Sequence, residues 1–232
     1  MFWTVSERLA SQAVGLVVSI VLARLLQPSQ FGLISMLAIF TAVGQSILDS
    51  GFGLALIQKK DADQTDASSI FYFNLFIGFL LAGILYFTAP LIANFYSQAM
   101  LIPISRVISL SFIINAFSLV QVSLLTKSLD FKTQMKVSLI AASVSGLIGI
   151  VMANFGFGVW SLVGQMLSQS FFRAVLLWVF NDWRPSAVFS FDSLKSMFPF
   201  GSRLLLSGLL NTFFGNLYEA FIGRVFSPSD LG

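Results

Sequence analysis

Long apolar runs constrain the fold of this chain more than any other feature of its sequence. Seven of them approach twenty residues in length: about 2–26, 31–48, 70–89, 107–125, 137–155, 159–180 and 201–226. The hydrocarbon core of a bilayer, roughly 30 Å thick, is crossed by about 20 helical residues. The sequence therefore predicts an all-α polytopic membrane protein with seven spans.

Composition excludes the other broad classes of protein. Only 10% of the residues are charged, whereas an ordinary soluble domain has about 25%. The absence of His and Cys leaves no thiolate nucleophile, imidazole base or disulfide framework, so we expect neither an enzyme nor a cofactor or metal site. The net charge of +3 comes from basic residues that stand singly between apolar runs, so we expect no nucleic-acid partner.

A sequence repeat indicates a duplicated lobe. Residues 23–32, ARLLQPSQFG, return 200 residues later as GRVFSPSDLG, with Arg, Pro, Ser and Gly at matching positions. Because Pro cannot easily continue a helix, and Gly gives the next helix room to turn back, each copy predicts a helix end followed by a hairpin. Six predicted spans separate the copies. Because an even number of crossings returns the chain to the same side of the membrane, the two copies would have the same orientation, as in parallel repeats.

The repeat leads to a division of the chain. We expect a six-helix N-terminal lobe over residues 1–180 and a cytoplasmic connection over 181–199. The first helix of a parallel second lobe would follow over 200–232, so the chain is expected to be a fragment. Val188, Phe191, Leu194 and Phe198 recur at helical spacing opposite Asp192, which predicts a short interfacial helix within the connection.

The distribution of Lys and Arg predicts the orientation in the membrane. Three basic residues fall on one side of the predicted spans, namely Arg24, Arg106 and Arg224. Nine fall on the other side, which also holds the N-terminus: Arg8, Lys59, Lys60, Lys127, Lys132, Lys136, Arg184, Lys195 and Arg203. Because cytoplasmic loops carry the excess of positive charge, the N-terminus is expected in the cytoplasm.

Polar faces on two spans indicate a cavity. In the first span Arg8 and Gln12 share a face with small residues, and this face is equally consistent with a cavity wall and with close helix packing. In the sixth span Gln165, Gln169 and Arg173 share a face, and we favour a cavity because these side chains pack poorly in lipid. Snorkelling of Arg173 to the interface stays open as an alternative.

Further candidates lie in three other spans. The seventh carries Arg203, Asn211 and Glu219, and Glu219 is the carboxylate best placed for ion coupling. Asp49 ends the second span; it is either a second coupling candidate or, as we favour, a polar end near the interface. The small residues of the fifth span, among them Gly146, recur at spacings of four and predict helix packing only.

Six segments together resemble one protein family over the whole chain. They read FWTVSER (2–8), VLARLLQPSQFGLISM (21–36), DSGFGLALIQKK (49–60), LTKSLDFK (125–132), GFGVWSLV (156–163) and FGSRLLLSGLL (200–210). The chain is similar to bacterial polysaccharide biosynthesis proteins of the lipopolysaccharide O-antigen flippase type. These belong to the multidrug, oligosaccharidyl-lipid and polysaccharide exporter superfamily. The short basic segment that usually precedes the FW pair in the family is missing.

The resemblance implies a transporter of the bacterial inner membrane that flips an undecaprenyl-diphosphate-linked oligosaccharide between leaflets. It implies the lipid bilayer, a C-terminal lobe and a glycan polymerase as partners. Cationic side chains would hold the diphosphate and a hydrated groove the sugar. The candidate substrate-binding residues are Arg8, Gln12, Gln165, Gln169, Arg173, Arg203 and Asn211, and the coupling candidates are Glu219 and Asp49.

Two other functions stay open beside the flippase. A multidrug or other ion-coupled exporter of the same superfamily would need acidic residues in the cavity, and the arginines there favour an anion instead. A membrane enzyme such as a glycosyltransferase lacks support, because the sequence has no acidic metal-binding motif and no sizeable segment outside the predicted spans.

Overall fold

The computed structural model describes residues 2–49 and 51–225, and the side chains of residues 12–49 and 51–212. The chain forms nine helices within these residues. They are α1 (Phe2–Leu25), α2 (Pro28–Asp49), α3 (Phe52–Gln58), α4 (Gln64–Tyr96), α5 (Leu101–Ile108), α6 (Leu110–Lys127), α7 (Phe131–Asn154), α8 (Val159–Phe180) and α9 (Phe191–Val225). The prediction of an all-α polytopic membrane protein is confirmed.

Five helical segments of the described residues are long and apolar enough to cross a membrane: Pro28–Gln58, Gln64–Tyr96, Leu101–Lys127, Phe131–Asn154 and Val159–Phe180. They correspond to the second through sixth predicted spans. Two of these segments are each built from two helices: Pro28–Gln58 from α2 and α3, and Leu101–Lys127 from α5 and α6. Helices α1 and α9 cover the first and seventh predicted spans, and that these two cross the membrane stays a prediction.

The first copy of the repeat forms the predicted helix end and a short turn into the next helix. Helix α1 ends at Leu25 and α2 begins at Pro28, a position where Pro suits a helix because its missing N–H would have no partner there. The Gln27 backbone N–H donates to Gln30 Oε1 at 3.2 Å within the turn. Gly32 lies inside α2 and is buried, so it does not form the turn itself. Residues 226–232 of the second copy lie outside the described part of the chain.

A glycine marks the junction between α2 and α3. Gly51 has a φ of 70°, a left-handed conformation that costs glycine little and other residues more. A Cβ built on it would also lie 2.6 Å from the carbonyl oxygen of Gly201 in α9. The absence of a side chain therefore lets α9 approach the junction closely.

Helix α4 shows how deeply the lobe sits in the bilayer. The Asp63 side chain caps its N-terminus by accepting from the Asp66 backbone N–H at 2.8 Å. Its exposed apolar side chains lie on one face and are Phe76, Phe79, Leu80, Ile84, Phe87, Leu91 and Phe95. From first to last this face spans about 28 Å at 1.5 Å per residue, close to the thickness of the hydrocarbon core. The first three turns of α4 are covered by protein instead.

Close helix packing through the glycines of α7 is confirmed, but the expectation of packing only is wrong, because Ala142 and Ser145 also line a cavity. A Cβ on Gly146 would lie 2.4 Å from Val18 Cγ2 of α1, and one on Gly149 would lie 3.0 Å from Gln165 Cβ of α8. Ser145 and Ala153 are buried on the same helix. Helix α7 thus holds α1 on one side and α8 on the other.

The connection from α8 to α9 is extended and bound to α4. Ser186 bonds to the Ser68 hydroxyl at 3.0 Å, and the Ser190 backbone N–H donates to the Ser69 hydroxyl at 2.8 Å. Arg184 donates to the carbonyl oxygens of Trp178 and Asn181, at 2.7 and 2.6 Å. This arginine therefore satisfies carbonyl groups at the C-terminal end of α8, where a cation also suits the helix dipole.

The expectation of a separate interfacial helix is wrong. A single helix, α9, runs from Phe191 to Val225 with Pro199 inside it, so the predicted boundary between residues 199 and 200 falls within a helix. A proline removes one helical hydrogen bond and kinks a helix, but packing can hold both sides in place. Here Leu194 and Met197 are buried against the α3 and α4 cluster. Phe191 and Phe198 are exposed, and their insertion into the interface stays a prediction.

Candidate functional site

The largest of three described cavities, of about 1140 Å³, lies between α2, α3, α6, α8 and α9. We call it the main cavity. It extends to Ile57 and Thr126, near the end of the bundle where Lys59 and Lys127 lie. Its polar lining residues are Gln45, Ser46, Asp49, Asn115, Ser118, Ser123, Thr126, Gln169, Ser170, Arg173, Ser207 and Thr212. A cavity of this size and polarity inside apolar helices is suited to a polar ligand.

A third cavity of about 330 Å³ lies between α1, α7 and α8. Its lining includes Gln12, Gln165, Gln169 and Arg173, four of the residues that the sequence singled out. The amide face of the sixth predicted span therefore does line a cavity. Gln12 and Gly15 of the first-span face line this cavity, and a Cβ on Gly15 would meet nothing within 4 Å. Helix α1 packs on α7 through Val18 instead, so the described part of this face supports a cavity wall and not close packing through its small residues.

Arg173 stands where the main and third cavities meet. Its side chain lines both and is exposed. Within the described residues its guanidinium donates no hydrogen bond, although it interacts electrostatically with the Asp49 carboxylate. Arginine offers five N–H donors in a planar fork that matches phosphate oxygens. The arrangement therefore leaves a cation available to an anionic ligand.

Helices α2 and α6 contribute a polar chain that ends at Asp49. Asn115 Nδ2 donates to Gln45 Oε1 at 2.9 Å, and Gln45 Nε2 donates to Asp49 Oδ1 at 3.0 Å. These bonds set the amide orientations, since oxygen and nitrogen are otherwise assigned by such networks. Asp49 ends α2 as the sequence predicted, and it also faces the main cavity.

The hydroxyl groups of α6 turn their protons toward their own helix. Ser123 donates to the Leu119 carbonyl at 3.0 Å and Thr126 to the Val122 carbonyl at 2.8 Å. Thr126 Oγ1 also accepts from Gln134 Nε2 at 3.0 Å, but a hydroxyl oxygen has two lone pairs, so both oxygens retain acceptor capacity beside the cavity. That lining suits a ligand that brings its own donors, such as a hydroxyl-rich group.

Two of the remaining predicted site residues are not brought to these cavities. Arg203 and Asn211 are exposed on α9 and line none of the three. The side chains of Arg8 and Glu219 lie outside the described residues. Sequence reasoning missed Gln45 and Asn115; the spacing of four between Gln45 and Asp49 was the one available signal.

Basic residues counted for orientation gather at one end of the bundle. Lys127 Nζ donates to the Lys59 carbonyl at 2.7 Å and lies 3.4 Å from the Leu56 carbonyl at the end of α3. Lys59 forms an ion pair of 2.6 Å with Asp66, and Gln64 of α4 donates to the Arg184 carbonyl at 2.6 Å. The connection from α3 to α4 and the connection from α8 to α9 therefore lie on one side of the lobe, together with the C-terminal end of α6.

Acidic residues do not assemble a metal centre in the described part of the chain. There, no group of three His, Cys, Asp or Glu side chains could hold a metal ion.

Comparison with known proteins identifies the family. The family model described as "Polysaccharide biosynthesis protein" matches residues 21–232. The chain belongs to this family. No solved structure matches it significantly.

Three relatives show what else the family contains. The teichuronic acid biosynthesis protein TuaB of Bacillus subtilis is 32% identical over 83% of this chain and 40% of its own. The succinoglycan biosynthesis transport protein ExoT of Rhizobium meliloti is 26% identical over 99% of this chain and 47% of its own. The lipopolysaccharide biosynthesis protein WzxC of Escherichia coli is 23% identical over 99% and 47%. The chain thus spans about half the length of the relatives it matches.

Proposed function

We propose that the protein of which this chain is part is a flippase for an undecaprenyl-diphosphate-linked oligosaccharide. The observation that carries the proposal is Arg173, a cation at the meeting point of two polar cavities within membrane-spanning helices. Bringing a diphosphate into a region of low dielectric requires a compensating cation, and arginine binds its oxygens bidentately. Membership of the polysaccharide biosynthesis family supports a saccharide cargo.

The remaining parts of the ligand would be divided between the main cavity and the lipid. The amides of Gln45, Asn115 and Gln169 and the hydroxyl oxygens of α6 would contact the saccharide, while the lipid tail stays in the bilayer. The three relatives are named for three different glycans, so the family alone does not specify which glycan is carried. On this proposal the protein is a transporter and not an enzyme, and a second lobe would close the cavity from the opposite side.

Glycan export in living cells tests the proposal. A strain that lacks its own flippase would carry the full-length protein with Arg173 as Arg, Lys, Gln or Ala, at equal membrane abundance. We expect Arg173→Ala to abolish export and Arg173→Lys to restore part of it, because lysine supplies charge without the fork. Arg203→Gln serves as the matched control, since Arg203 lies outside the described cavities. Full export by Arg173→Gln would remove Arg173 from the site.

The alternative, a multidrug or other ion-coupled exporter, makes a different prediction for the same variants. Its cavity would attract cations, so loss of Arg173 would leave drug resistance unchanged or raise it. Asp49 and Glu219 stay the proposed coupling residues in either case. Loss of glycan export in Asp49→Asn, together with unchanged drug resistance in every variant, would favour the flippase.

We also propose that the N-terminus lies in the cytoplasm of a bacterial inner-membrane protein, from the nine-to-three charge bias. Single cysteines in the full-length protein, with any other cysteine replaced, can test this. Cysteine at Gln64, Thr133 or Ser193 should be shielded from an impermeant thiol reagent in intact cells. Cysteine at Gln30 or Ser97 should be labelled, and the reverse pattern would overturn the orientation.

A further inference from the structure

A second cavity of about 460 Å³ adjoins the main cavity between α2, α5, α6 and α8. It extends in the opposite direction, toward Ile34 and Ile108, near the N-terminal ends of α2 and α6. The two cavities share five lining residues: Ala42, Gln45, Asn115, Gln169 and Ser170. We call these five the mid-span layer.

The amides of the mid-span layer lie near the middle of three spans. Gln45, Asn115 and Gln169 each stand within about two residues of the midpoint of their spans, Pro28–Gln58, Leu101–Lys127 and Val159–Phe180. Three helices thus place an amide at the same depth. Because uncompensated polar groups at the bilayer centre are costly, such a layer indicates a role in passage or binding.

At this depth a side-chain hydrogen bond joins the α2 and α6 walls that the two cavities share. Asn115 Nδ2 donates to Gln45 Oε1 at 2.9 Å and so bridges the two helices. Beside this bridge the α2 backbone meets a side chain of α6, since a Cβ on Gly44 would lie 2.3 Å from the Phe112 ring, which is itself buried. This packing holds the two helices together independently of the bridge.

The lining changes character across the layer. The main cavity carries Asp49, Arg173 and several hydroxyl groups. Beyond the layer the second cavity is lined largely by apolar side chains, among them Leu37, Phe112 and Met166. The Thr41 hydroxyl there donates to the Leu37 and Ala38 carbonyls of its own helix. Three hydroxyl groups also line the second cavity, those of Ser35, Thr41 and Ser111, but among the described residues its lining holds no charged side chain and no amide beyond the layer.

We propose that the Gln45–Asn115 bridge is a side-chain gate at mid-span that separates the main cavity from the second cavity. A hydrogen bond between two neutral side-chain amides is readily exchanged for hydrogen bonds to water or to hydroxyl groups. The saccharide hydroxyls of the ligand would open the gate by taking over both amides, which positions the head group at this depth. The identity of that ligand rests on the proposed function, whereas the gate does not.

Thiol accessibility tests the gate without any transport. In the full-length protein, freed of other cysteines, Ser46→Cys reports on the main cavity and Ser111→Cys on the second. A charged methanethiosulfonate reagent would be added to membrane vesicles from the side on which the main cavity opens. We expect fast labelling at position 46 and labelling at least tenfold slower at position 111.

Removal of the bridge should join the cavities. Gln45→Ala or Asn115→Ala, each combined with Ser111→Cys, should raise the rate of labelling at position 111 about tenfold. Thr41→Val is the matched control: it removes a polar group that lines the second cavity without touching the bridge, and should leave the rate unchanged. Labelling rates are compared only for variants that are monodisperse after solubilisation from the same vesicles. Either alanine variant alone suffices should the other not fold.

Equal labelling rates at position 111 with and without the bridge would overturn the gate. A rate that rises as much in Thr41→Val as in Asn115→Ala would also overturn it, because the effect would then be general loosening. If the Arg173 variants exported glycan as well as the wild type while labelling at position 111 followed the expected pattern, the gate would stand and the proposed function would be refuted. The two failures are thus distinguishable.

Discussion

Adding one methyl group at Gly146 should separate α1 from α7. The new Cβ would lie 2.4 Å from Val18 Cγ2, whereas carbon atoms in contact prefer about 3.5–4.0 Å. One of the two helices must therefore shift by about 1.1–1.6 Å, because a β-branched valine in a helix has little rotamer freedom. Overpacking of this kind typically costs about 1–3 kcal/mol, so we expect Gly146→Ala to lower the stability of the full-length protein by that amount.

The matched control lies in α4. A Cβ on Gly83 would meet nothing within 4 Å, so Gly83→Ala should gain helix propensity of up to about 1 kcal/mol without a clash. The assay is the fraction of monodisperse protein in detergent after heating. Val18→Ala should rescue Gly146→Ala by removing the methyl groups that clash. Equal stability of Gly146→Ala and Gly83→Ala would refute the packing described for α1 and α7.

Two further predictions concern the ends of helices. Arg184→Ala should destabilise the protein more than Arg184→Lys in the same heating assay, because lysine keeps the favourable charge at the end of α8 but cannot reach several carbonyls at once; equal effects would contradict this. The Asp130 side chain caps α7 by accepting from Thr133 at 3.1 and 2.7 Å, and these bonds lower the pKa of Asp130. Its stabilisation is therefore present above the unfolded pKa near 4 and lost as the pH falls through the lower folded pKa. Asp130→Ala should cost about 1 kcal/mol at neutral pH and less in acid, where the protonated carboxyl keeps an acceptor oxygen but loses its charge; a difference independent of pH would refute the assignment.

The spans and one face of the site could be predicted because each depends on a single helix. Apolar length marked the second through sixth spans. The spacing of Gln165, Gln169 and Arg173 placed these three on one face of α8, which the cavities then confirmed. A proline and a polar turn likewise marked the end of α1.

Features that join different helices could not be predicted in this way. Asn115 and Gln45 bond across 70 residues, and neither span by itself indicates which residue of the other is the partner. The course of α9 through Pro199 depends on the packing of Leu194 and Met197 against other helices. The carbonyl groups that Arg184 satisfies depend on how the connection after α8 folds back. In each case the deciding partner is distant in sequence.

Binding of a diphosphate lipid to the purified full-length protein tests the central claim most directly. Undecaprenyl diphosphate would be titrated into the wild type, Arg173→Gln and Arg203→Gln in the same detergent. Hydrogen bonds to charged groups contribute about 1.5–3 kcal/mol, so Arg173→Gln should weaken binding by roughly 10- to 150-fold, while Arg203→Gln changes it little. Equal affinity of the wild type and Arg173→Gln would contradict the assignment of the diphosphate to Arg173.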